Sequence, residues 1–150
     1  MTYLLVTNIL LAYLRDSGLA SEIDKQFQPL SYPNTPIVSV VSLGELKSIA
    51  LRNNWGQKRL ELLDKFVKQF LIADINITTI IDKYAEIDAF SQGKLASKLL
   101  KESARNMGKN DLWIAASASV LNATLLTSDH DFSHLKNEFI SLEIVDLWHL

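Results

Sequence analysis

The sequence predicts an α/β protein, with a central, mostly parallel sheet and helices on both faces. Short apolar runs rich in β-branched residues alternate with longer segments of helical periodicity, which is the pattern of repeated strand–helix units. All three prolines fall within one predicted loop, 29–36. We see neither an internal repeat nor a linker. We therefore expect residues 1–150 to form a single domain, since this length is typical of one.

Five strands and seven helices are predicted from these patterns. The strands are Tyr3 to Val6, Ile37 to Val41, Leu71 to Ile75, Thr124 to Thr127 and Leu142 to Val145. The helices are Ile9 to Leu14, Leu19 to Phe27, Leu43 to Arg52, Trp55 to Phe70, Thr79 to Phe90, Leu95 to Arg105, and a last one that carries Asp111 and ends near Leu121. Ligands of open parallel sheets bind beyond the carboxyl ends of the strands, so those ends are where we look for a site.

Composition narrows the classes of protein that fit. Hydrophobic residues make up 48% of the chain and charged residues 21%, which is enough for a core and typical of a soluble domain. The chain has no cysteine, which excludes disulfides and thiolate metal sites. No apolar run reaches the roughly 18 residues of a membrane span, and no signal-type start is present. We expect a cytoplasmic protein that does not enter a membrane.

Acidic residues recur close to the predicted strand ends. Glu45 lies in the helix after the second strand, Asp111 in the first turn of its helix, and Asp129 just after the strand Thr124 to Thr127. Clustered carboxylates repel one another and raise each other's pKa values unless a cation offsets them. Mg²⁺ prefers such oxygen ligands, and bound metal can activate water beside a phosphate. A metal-dependent hydrolase is therefore one interpretation.

Each acid also has an ordinary structural explanation. The spacing of Ser42 and Glu45 fits a capping box, in which both side chains bond free amides at the start of a helix. Asn110 and Asp111 are favourable residues for starting a helix. The segment 128–131 is rich in turn-forming residues, and its last aspartate is suited to capping a short helix. Taken one by one, none of these motifs is specific.

Their order along the chain resembles the PIN-domain nucleases, in particular the VapC-like toxins of toxin–antitoxin pairs. The matching segments are Leu4-Leu5-Val6-Thr7-Asn8, Ser42-Leu43-Gly44-Glu45, Asn110-Asp111-Leu112-Trp113-Ile114-Ala115-Ala116 and Thr127-Ser128-Asp129-His130-Asp131-Phe132, so the resemblance runs from Tyr3 to about Trp148. It implies a PIN-like three-layer sandwich and a ribonuclease that uses Mg²⁺ or Mn²⁺. It also implies that Glu45, Asp111 and Asp129 are catalytic metal ligands, with Asp131 as a weaker fourth candidate. Thr7, Asn8 and Thr127, and more weakly Ser128, correspond to polar residues that orient the site.

One position departs from the family pattern. The first strand of PIN nucleases ends in Asp-Thr-Asn, whereas this chain has Val6-Thr7-Asn8. The missing aspartate is usually a direct metal ligand, and valine cannot bind Mg²⁺. A β-branched residue packs well at the end of a buried strand, so we expect the fold to survive. We predict weak metal binding and strongly impaired cleavage.

Basic and apolar surfaces suggest partners. Cations concentrate in 52–59, 65–68 and 94–109, and the last group adjoins Asp111: it comprises Lys94, Lys98, Lys101, Arg105 and Lys109. Their three- and four-residue spacing, if helical, puts the first four on one face, which is either an RNA-contacting strip or an ordinary solvated face. His130 and His134 are predicted to be surface or turn residues, and the three tryptophans core or interface residues. Surplus apolar positions on the helices within 43–70 suit an interface, and the resemblance implies a homodimer and a VapB-like antitoxin.

Two other functions remain open at this level. One is a non-catalytic protein of the same fold that sequesters an antitoxin or RNA. The other is a phosphotransfer α/β domain such as a phosphatase or receiver. That class needs a nucleophilic aspartate at the end of the first strand, which is where this chain has Val6.

Overall fold

The computed structural model describes residues 1–15 and 18–145. The strands are β1 (Thr2–Leu5), β2 (Thr35–Ser39), β3 (Leu71–Ala73), β4 (Thr124–Thr127) and β5 (Ser141–Ile144). The helices are α1 (Thr7–Leu14), α2 (Gly18–Gln26), α3 (Val40–Arg52), α4 (Gln57–Val67), α5 (Thr78–Ser91) and α6 (Lys109–Leu121), with a 3-10 helix at Ser133–Leu135. Trp148 and the end of the resemblance lie outside the described residues.

The five strands form one sheet in the order β3-β2-β1-β4-β5, and every neighbouring pair is parallel. Helices pack mainly in two groups, α1 with α2, α3 and α4, and α5 with α6, and α3 also contacts α6. The result is the predicted α/β sandwich, a parallel sheet between two helical layers. Since the chain proceeds outward from β1 to β3 and then returns to β4 on the other side, the order reverses between β1 and β4. That reversal creates a crevice at the carboxyl ends of these two strands.

The core fills the space between the sheet and its helices. Leu4, Leu5, Leu125 and Leu126 of the two central strands are fully buried, because a parallel strand covered on both faces has no solvent side. Ile9, Leu46, Ile80, Ile87, Ile114 and Ala115 are among the buried residues that the helices contribute. Burial of this continuous apolar surface supplies most of the driving force for folding. It also fixes the ends of β1 and β4, which carry the site.

Several predicted elements differ from the structure. The predicted strand Ile37 to Val41 begins and ends two residues early, at Thr35–Ser39, because α3 starts at Val40. The predicted helix Trp55 to Phe70 is shorter, Gln57–Val67. The largest error is the predicted helix Leu95 to Arg105: residues 92–108 form turns and irregular structure. The three- and four-residue spacing of its cations was therefore not a sign of a helix face.

No helix among the described residues is long and apolar enough to cross a membrane.

Candidate active site

A cavity of about 240 Å³ opens at the carboxyl ends of β1 and β4. It brings together residues from four separated segments of the chain: Val6, Thr7, Asn8, Leu11, Glu45, Asp111, Ile114, Asp129 and Phe132. The three acids that the sequence singled out are thus neighbours in space, and all three are partly buried. We call this the acid cavity.

Strand register explains how the first and last segments meet. Leu5 of β1 pairs with Leu126 of β4, so the residues that follow these strands leave the sheet side by side. The amide of Val6 extends this pairing by donating to the carbonyl of Leu126 at 3.3 Å. Val6 then serves as the N-cap of α1 without a side-chain cap hydrogen bond, and it is 5% exposed. Valine here fills the floor of the cavity but offers neither a cap acceptor nor a ligand.

Glu45 enters the cavity from the middle of α3. The hydroxyl of Thr7 donates to its Oε1 at 2.8 Å, a bond between residues 38 apart in sequence. The predicted capping box is wrong: Ser39 is the N-cap, its Oγ accepting from the amide of Val41 at 3.1 Å, and Ser42 is already inside the helix. Glu45 is therefore free of a capping role and is oriented by Thr7.

Asp129 is held by the turn that follows β4. The Asn8 amide group donates to its Oδ2 at 3.4 Å, and its own amide donates to Thr127 Oγ1 at 3.2 Å. The amide of Asp131 donates to Oδ1 of Asp129 at 3.0 Å. Asp131 itself is exposed and does not line the cavity, and it does not cap the 3-10 helix, whose N-cap is Phe132. Asn8, Thr127 and Asp131 therefore all contact the Asp129 segment. Ser128 is partly buried, and its role in orienting the site stays a prediction.

Asp111 is the acid whose chemistry the site changes most. It lies in the first turn of α6, as predicted, although the N-cap is Gly108 rather than Asn110 or Asp111. Burial, together with the negative charges of Asp129, Asp131 and Glu45, raises the pKa of Asp111 to about 6, and burial is the largest cause. These charges act on Asp111 because the acids share one side of the molecule. A bound cation would remove this penalty.

The donor set fits a hard cation in its chemistry. Three carboxylates line one cavity, and Asn8 Oδ1 is buried without a hydrogen-bond partner among the described residues. Such oxygen atoms are the ligands that Mg²⁺ and Mn²⁺ prefer. Over 1–15 and 18–145, however, no three acidic or histidine side chains stand in an arrangement that would hold a metal ion as they are. Glu45, Asp111 and Asp129 are the residues that could hold a metal ion after their side chains change conformation.

The predicted RNA-contacting strip does not exist as a helix face. Lys98 is committed to the protein: its Nζ donates to the carbonyl of Glu138 at 2.7 Å, lies 3.3 Å from the Glu138 carboxylate and sits over the Phe139 ring at 4.8 Å. Arg105 pairs with Glu102 at 2.8 Å. Lys94, Lys101 and Lys109 are exposed. The five cations therefore do not share a helix face, and their role as RNA contacts stays a prediction.

A second polar cluster was missed from the sequence. His134 is buried rather than a surface residue: its Nε2 lies 2.8 Å from Ser91 Oγ, and its ring stacks near Phe90. Ser91 Oγ also donates to Met107 Sδ at 3.3 Å. His130 is exposed, as predicted. The signal was weak, because a serine at the end of α5 and a histidine in a turn are 43 residues apart. Trp55 and Trp113 pack against the core, in agreement with the prediction.

Fold and site together define a class: a parallel α/β domain with carboxylates from distant segments gathered at the topological switch point. Sequence comparison matches residues 3–138 to the PIN domain family, so the chain belongs to the PIN domain family. Members of this family are generally metal-dependent nucleases. Comparison with curated protein sequences gives no match.

Solved structures with the same fold include toxin–antitoxin proteins. A chain of VapBC2 from Rickettsia felis, crystallised with a DNA fragment from the promoter, has 26% identity and a TM-score of 0.78, over 97% of this chain and 100% of that one. VapBC-1 from nontypeable Haemophilus influenzae matches with 23% identity and a TM-score of 0.71, over 96% and 98%. VapBC-5 from Mycobacterium tuberculosis matches with 23% identity and a TM-score of 0.61, over 97% and 98%. The latter two share the fold.

Proposed function

We propose that this protein is a VapC-like toxin, a metal-dependent endoribonuclease that cleaves RNA phosphodiester bonds, and that Val6 strongly impairs it. The observation that carries the proposal is the convergence of Glu45, Asp111 and Asp129 on one cavity. Membership of the PIN domain family and likeness to VapBC2 support the same class. We place the protein in the cytoplasm, where its RNA substrate would be.

Glu45, Asp111 and Asp129 would hold Mg²⁺ or Mn²⁺. When bound, such an ion supplies an activated water molecule and positive charge beside the attacked phosphate. The rest of the chemistry belongs to the chain. Thr7 fixes the Glu45 carboxylate and Asn8 the Asp129 carboxylate, which keeps both oxygens directed into the cavity. Thr127 fixes the backbone of the same turn, and the Asp131 charge adds to the negative field.

Val6 removes one oxygen ligand from the position at which β1 ends. The Val6 side chain is apolar and almost fully buried. A water molecule could replace the missing carboxylate ligand only by displacing this side chain. Fewer negative charges attract a divalent cation less strongly, and the remaining ligands hold it in a less defined geometry. Weak metal occupancy lowers the cleavage rate in proportion, and lost positioning lowers it further.

The partners that we propose are an RNA substrate, a VapB-like antitoxin and a second copy of the chain. A mainly apolar cavity of about 350 Å³ lies between α3 and α4; it is lined by Leu43, Leu46, Lys47, Leu63, Asp64, Val67, Lys68 and Ile72. Leu51, Leu62, Leu71 and Ile72 are more than half exposed. Exposed apolar side chains at this density are usual at protein interfaces. Leu51 and Leu62 lie on α3 and α4 and support the surplus of apolar positions predicted for these helices, whereas Leu71 and Ile72 belong to β3.

A non-catalytic protein of the same fold, which sequesters antitoxin or RNA, is the second candidate. The replacement of a metal ligand by Val6 favours it, since a protein that only binds needs no metal chemistry. Both candidates use the same surfaces. They differ in what restoring the carboxylate does.

Val6→Asp separates them. We expect the purified Val6→Asp chain to cleave RNA in Mg²⁺ faster than the present chain by orders of magnitude, about 10²-fold or more if metal positioning is the missing element. Expression of the variant should arrest growth. The matched control is Val6→Asn, which has the same shape but no charge and should remain close to the present chain.

Two outcomes would count against the proposal. Full Mg²⁺-dependent activity of the present chain would show that Val6 does not impair it. An inactive Val6→Asp chain that still binds Mg²⁺ would support the binding protein.

A further inference from the structure

A second cleft opens directly beside the acid cavity. Its volume is about 540 Å³, and Glu45 belongs to the walls of both. The cleft is lined from one side by α3, through Gly44, Ser48, Ile49 and Arg52, and from the other by Asn110 and Trp113 of α6. We call it the α3–α6 cleft. A nucleic-acid strand that binds with one phosphate at the acid cavity would therefore have this cleft next to that phosphate.

The cleft carries one unpaired cation. Arg52 is exposed at the end of α3, and its Nε donates to Ser48 Oγ at 3.3 Å. It forms no ion pair with an acid among the described residues. Glu45 is the only acid in the described lining, and its carboxylate is bonded to Thr7. Arg52 is therefore available for an anionic ligand, and a guanidinium group is well shaped for phosphate oxygens.

Trp113 gives the same cleft a fixed flat surface. It is partly buried, and Tyr84 of α5 packs against it with ring centroids 4.4 Å apart. An aromatic ring held in this way loses little freedom when a ligand packs on it. Asn110 is exposed beside it and offers both a donor and an acceptor. A cation, an aromatic ring and an amide around one cleft are the groups that bind single-stranded nucleic acid.

Gly44 adds an observation of a different kind. It lies inside α3 and is exposed, and a Cβ at this position would meet nothing within 4 Å. The protein's own packing therefore does not require glycine there, and its helical backbone does not require it either. Alanine is the better helix residue. Because Gly44 has no side chain, a ligand in the cleft can approach the backbone of α3 closely at this position, next to Glu45.

We infer that the α3–α6 cleft binds the nucleotide next to the scissile phosphate of an RNA strand. Arg52 contacts its phosphate, Trp113 and Asn110 contact its base or ribose, and Gly44 lets the strand pass close to the backbone of α3. The inference rests on the proposed ribonuclease function. The lining is mixed: Val40, Val41 and Ile75 would suit a second copy of the chain, which is the other occupant to consider. The unpaired guanidinium of Arg52 and the position of the cleft beside Glu45 favour RNA.

The test uses the Val6→Asp chain and a short, labelled single-stranded oligoribonucleotide with Mg²⁺. Gly44→Ala should raise the Tm, because it improves the helix, and yet raise KM by about tenfold with kcat little changed. Gly18→Ala is the matched control, since Gly18 is also helical and has nothing within 4 Å of an added Cβ. It should leave KM unchanged. An unaltered Mg²⁺ dependence of the Tm would show that Glu45 is not disturbed.

Arg52→Gln tests the phosphate contact. It should raise KM by about tenfold and reduce the slope of log affinity against log salt by about 0.7, the value for one phosphate contact on a single strand. Lys25→Gln is its control: it removes the same charge from an exposed residue in the last turn of α2, which lines neither the cleft nor the acid cavity.

The outcomes separate the two levels of inference. If the Val6→Asp chain cleaves RNA and both cleft variants match their controls in KM, the cleft is not a substrate site while the ribonuclease stands. If Gly44→Ala instead shifts the monomer–dimer equilibrium in sedimentation and leaves KM unchanged, the cleft is an interface between copies. If the Val6→Asp chain neither binds nor cleaves RNA, the proposed function fails and the inference with it.

Discussion

The acid cavity and the buried cluster of Ser91, His134 and Met107 are two polar sites that the fold treats in opposite ways. The acid cavity is open to solvent, and the six oxygens of its three carboxylates accept three hydrogen bonds among the described residues, from Thr7, Asn8 and the amide of Asp131. The buried cluster is neutral and closed: Ser91 is fully buried and bonds both partners at once. The acid cavity has carboxylate oxygens that can still bind a ligand, whereas the buried cluster connects three segments of the chain by hydrogen bonds.

Their pKa shifts differ in the same sense. Burial and neighbouring negative charges raise the pKa of Asp111, so its charged form costs stability. Burial and the nearby Arg105 lower the pKa of His134, with Glu102 opposing them, so its charged form costs stability too. Because one group is an acid and the other a base, the acid cavity loses stability as the pH rises and the buried cluster as the pH falls. Variants at the two sites should therefore respond to pH in opposite directions.

The largest stability effect is expected at the buried cluster. His134→Ala removes a buried ring that stacks near Phe90 and removes the hydrogen bond between His134 and Ser91, so that Ser91 keeps its bond to Met107. The free energy of unfolding, measured by urea denaturation at pH 7.5, should fall by about 2–4 kcal/mol. His130→Ala is the control, because His130 is exposed, and it should stay within about 0.5 kcal/mol. Equal losses would show that the cluster contributes nothing specific.

The same variant tests the sign of the pH effect. The folded pKa of His134 lies below its ordinary value of 6.5, so its contribution to stability is full above that pH and is lost as the pH falls through the folded pKa. The buried Nδ1 of His134 has no hydrogen-bond partner among the described residues. A proton added there would therefore find no acceptor. The difference between the present chain and His134→Ala should shrink below pH 6.5. A difference that is constant from pH 8 to pH 5 would contradict this account.

The next largest effect concerns metal binding at the acid cavity. Val6→Asp should make the Tm depend on Mg²⁺, with a stabilisation of about 2.7 kcal/mol at a concentration one hundred times the Kd. In the present chain, the same Mg²⁺ concentration should shift the Tm much less, because Val6 supplies no ligand. Val6→Asn controls for the new polar side chain, which can also cap α1. Equal Mg²⁺ shifts in all three chains would mean that position 6 does not take part in metal binding.

A smaller gain is expected from removing charge at the same site. Asp111→Asn should stabilise the metal-free protein at pH 8 by about 1–2 kcal/mol, a value already reduced for the partial exposure of the side chain. The penalty is absent below the ordinary pKa of 3.8 and appears as the pH rises through about 6, so the gain should vanish near pH 4. Asp82→Asn, at an exposed position of α5, is the control. A gain that is as large at pH 4 as at pH 8 would rule out the charge as its cause.

The same contrast describes what the sequence could predict. The strands were found because Leu4, Leu5, Leu125 and Leu126 form short apolar runs, which burial on both faces requires. Glu45, Asp111 and Asp129 were found because each follows such a strand or begins a helix near one. Parallel topology then brings those positions to one edge of the sheet. Local patterns determine which residues reach the edge of the sheet, so the acid cavity could be predicted from the sequence.

The structure of residues 92–108 could not be predicted from local patterns. Its residues 95–105 have helical spacing of apolar and basic positions, but the segment is fixed by long-range contacts: the amide of Arg105 donates to the carbonyl of Ser91, and Met107 accepts from the Ser91 hydroxyl. Tertiary contacts of this kind override a weak helix preference. Neither Ser91 nor His134 belongs to a local motif, so their pairing appears only in the folded structure.

The smallest effect tests whether Lys98 belongs to that fixed region rather than to an RNA surface. Lys98→Gln removes the bonds to Glu138 and the contact with Phe139, and it should lower the free energy of unfolding by about 1 kcal/mol. Lys94→Gln removes an exposed charge and should change it by less than about 0.5 kcal/mol. If Lys98 is structural, RNA binding by the two variants should be alike once both are folded. If Lys98→Gln instead weakens RNA binding and leaves stability unchanged, the original interpretation of this lysine as an RNA contact would be correct.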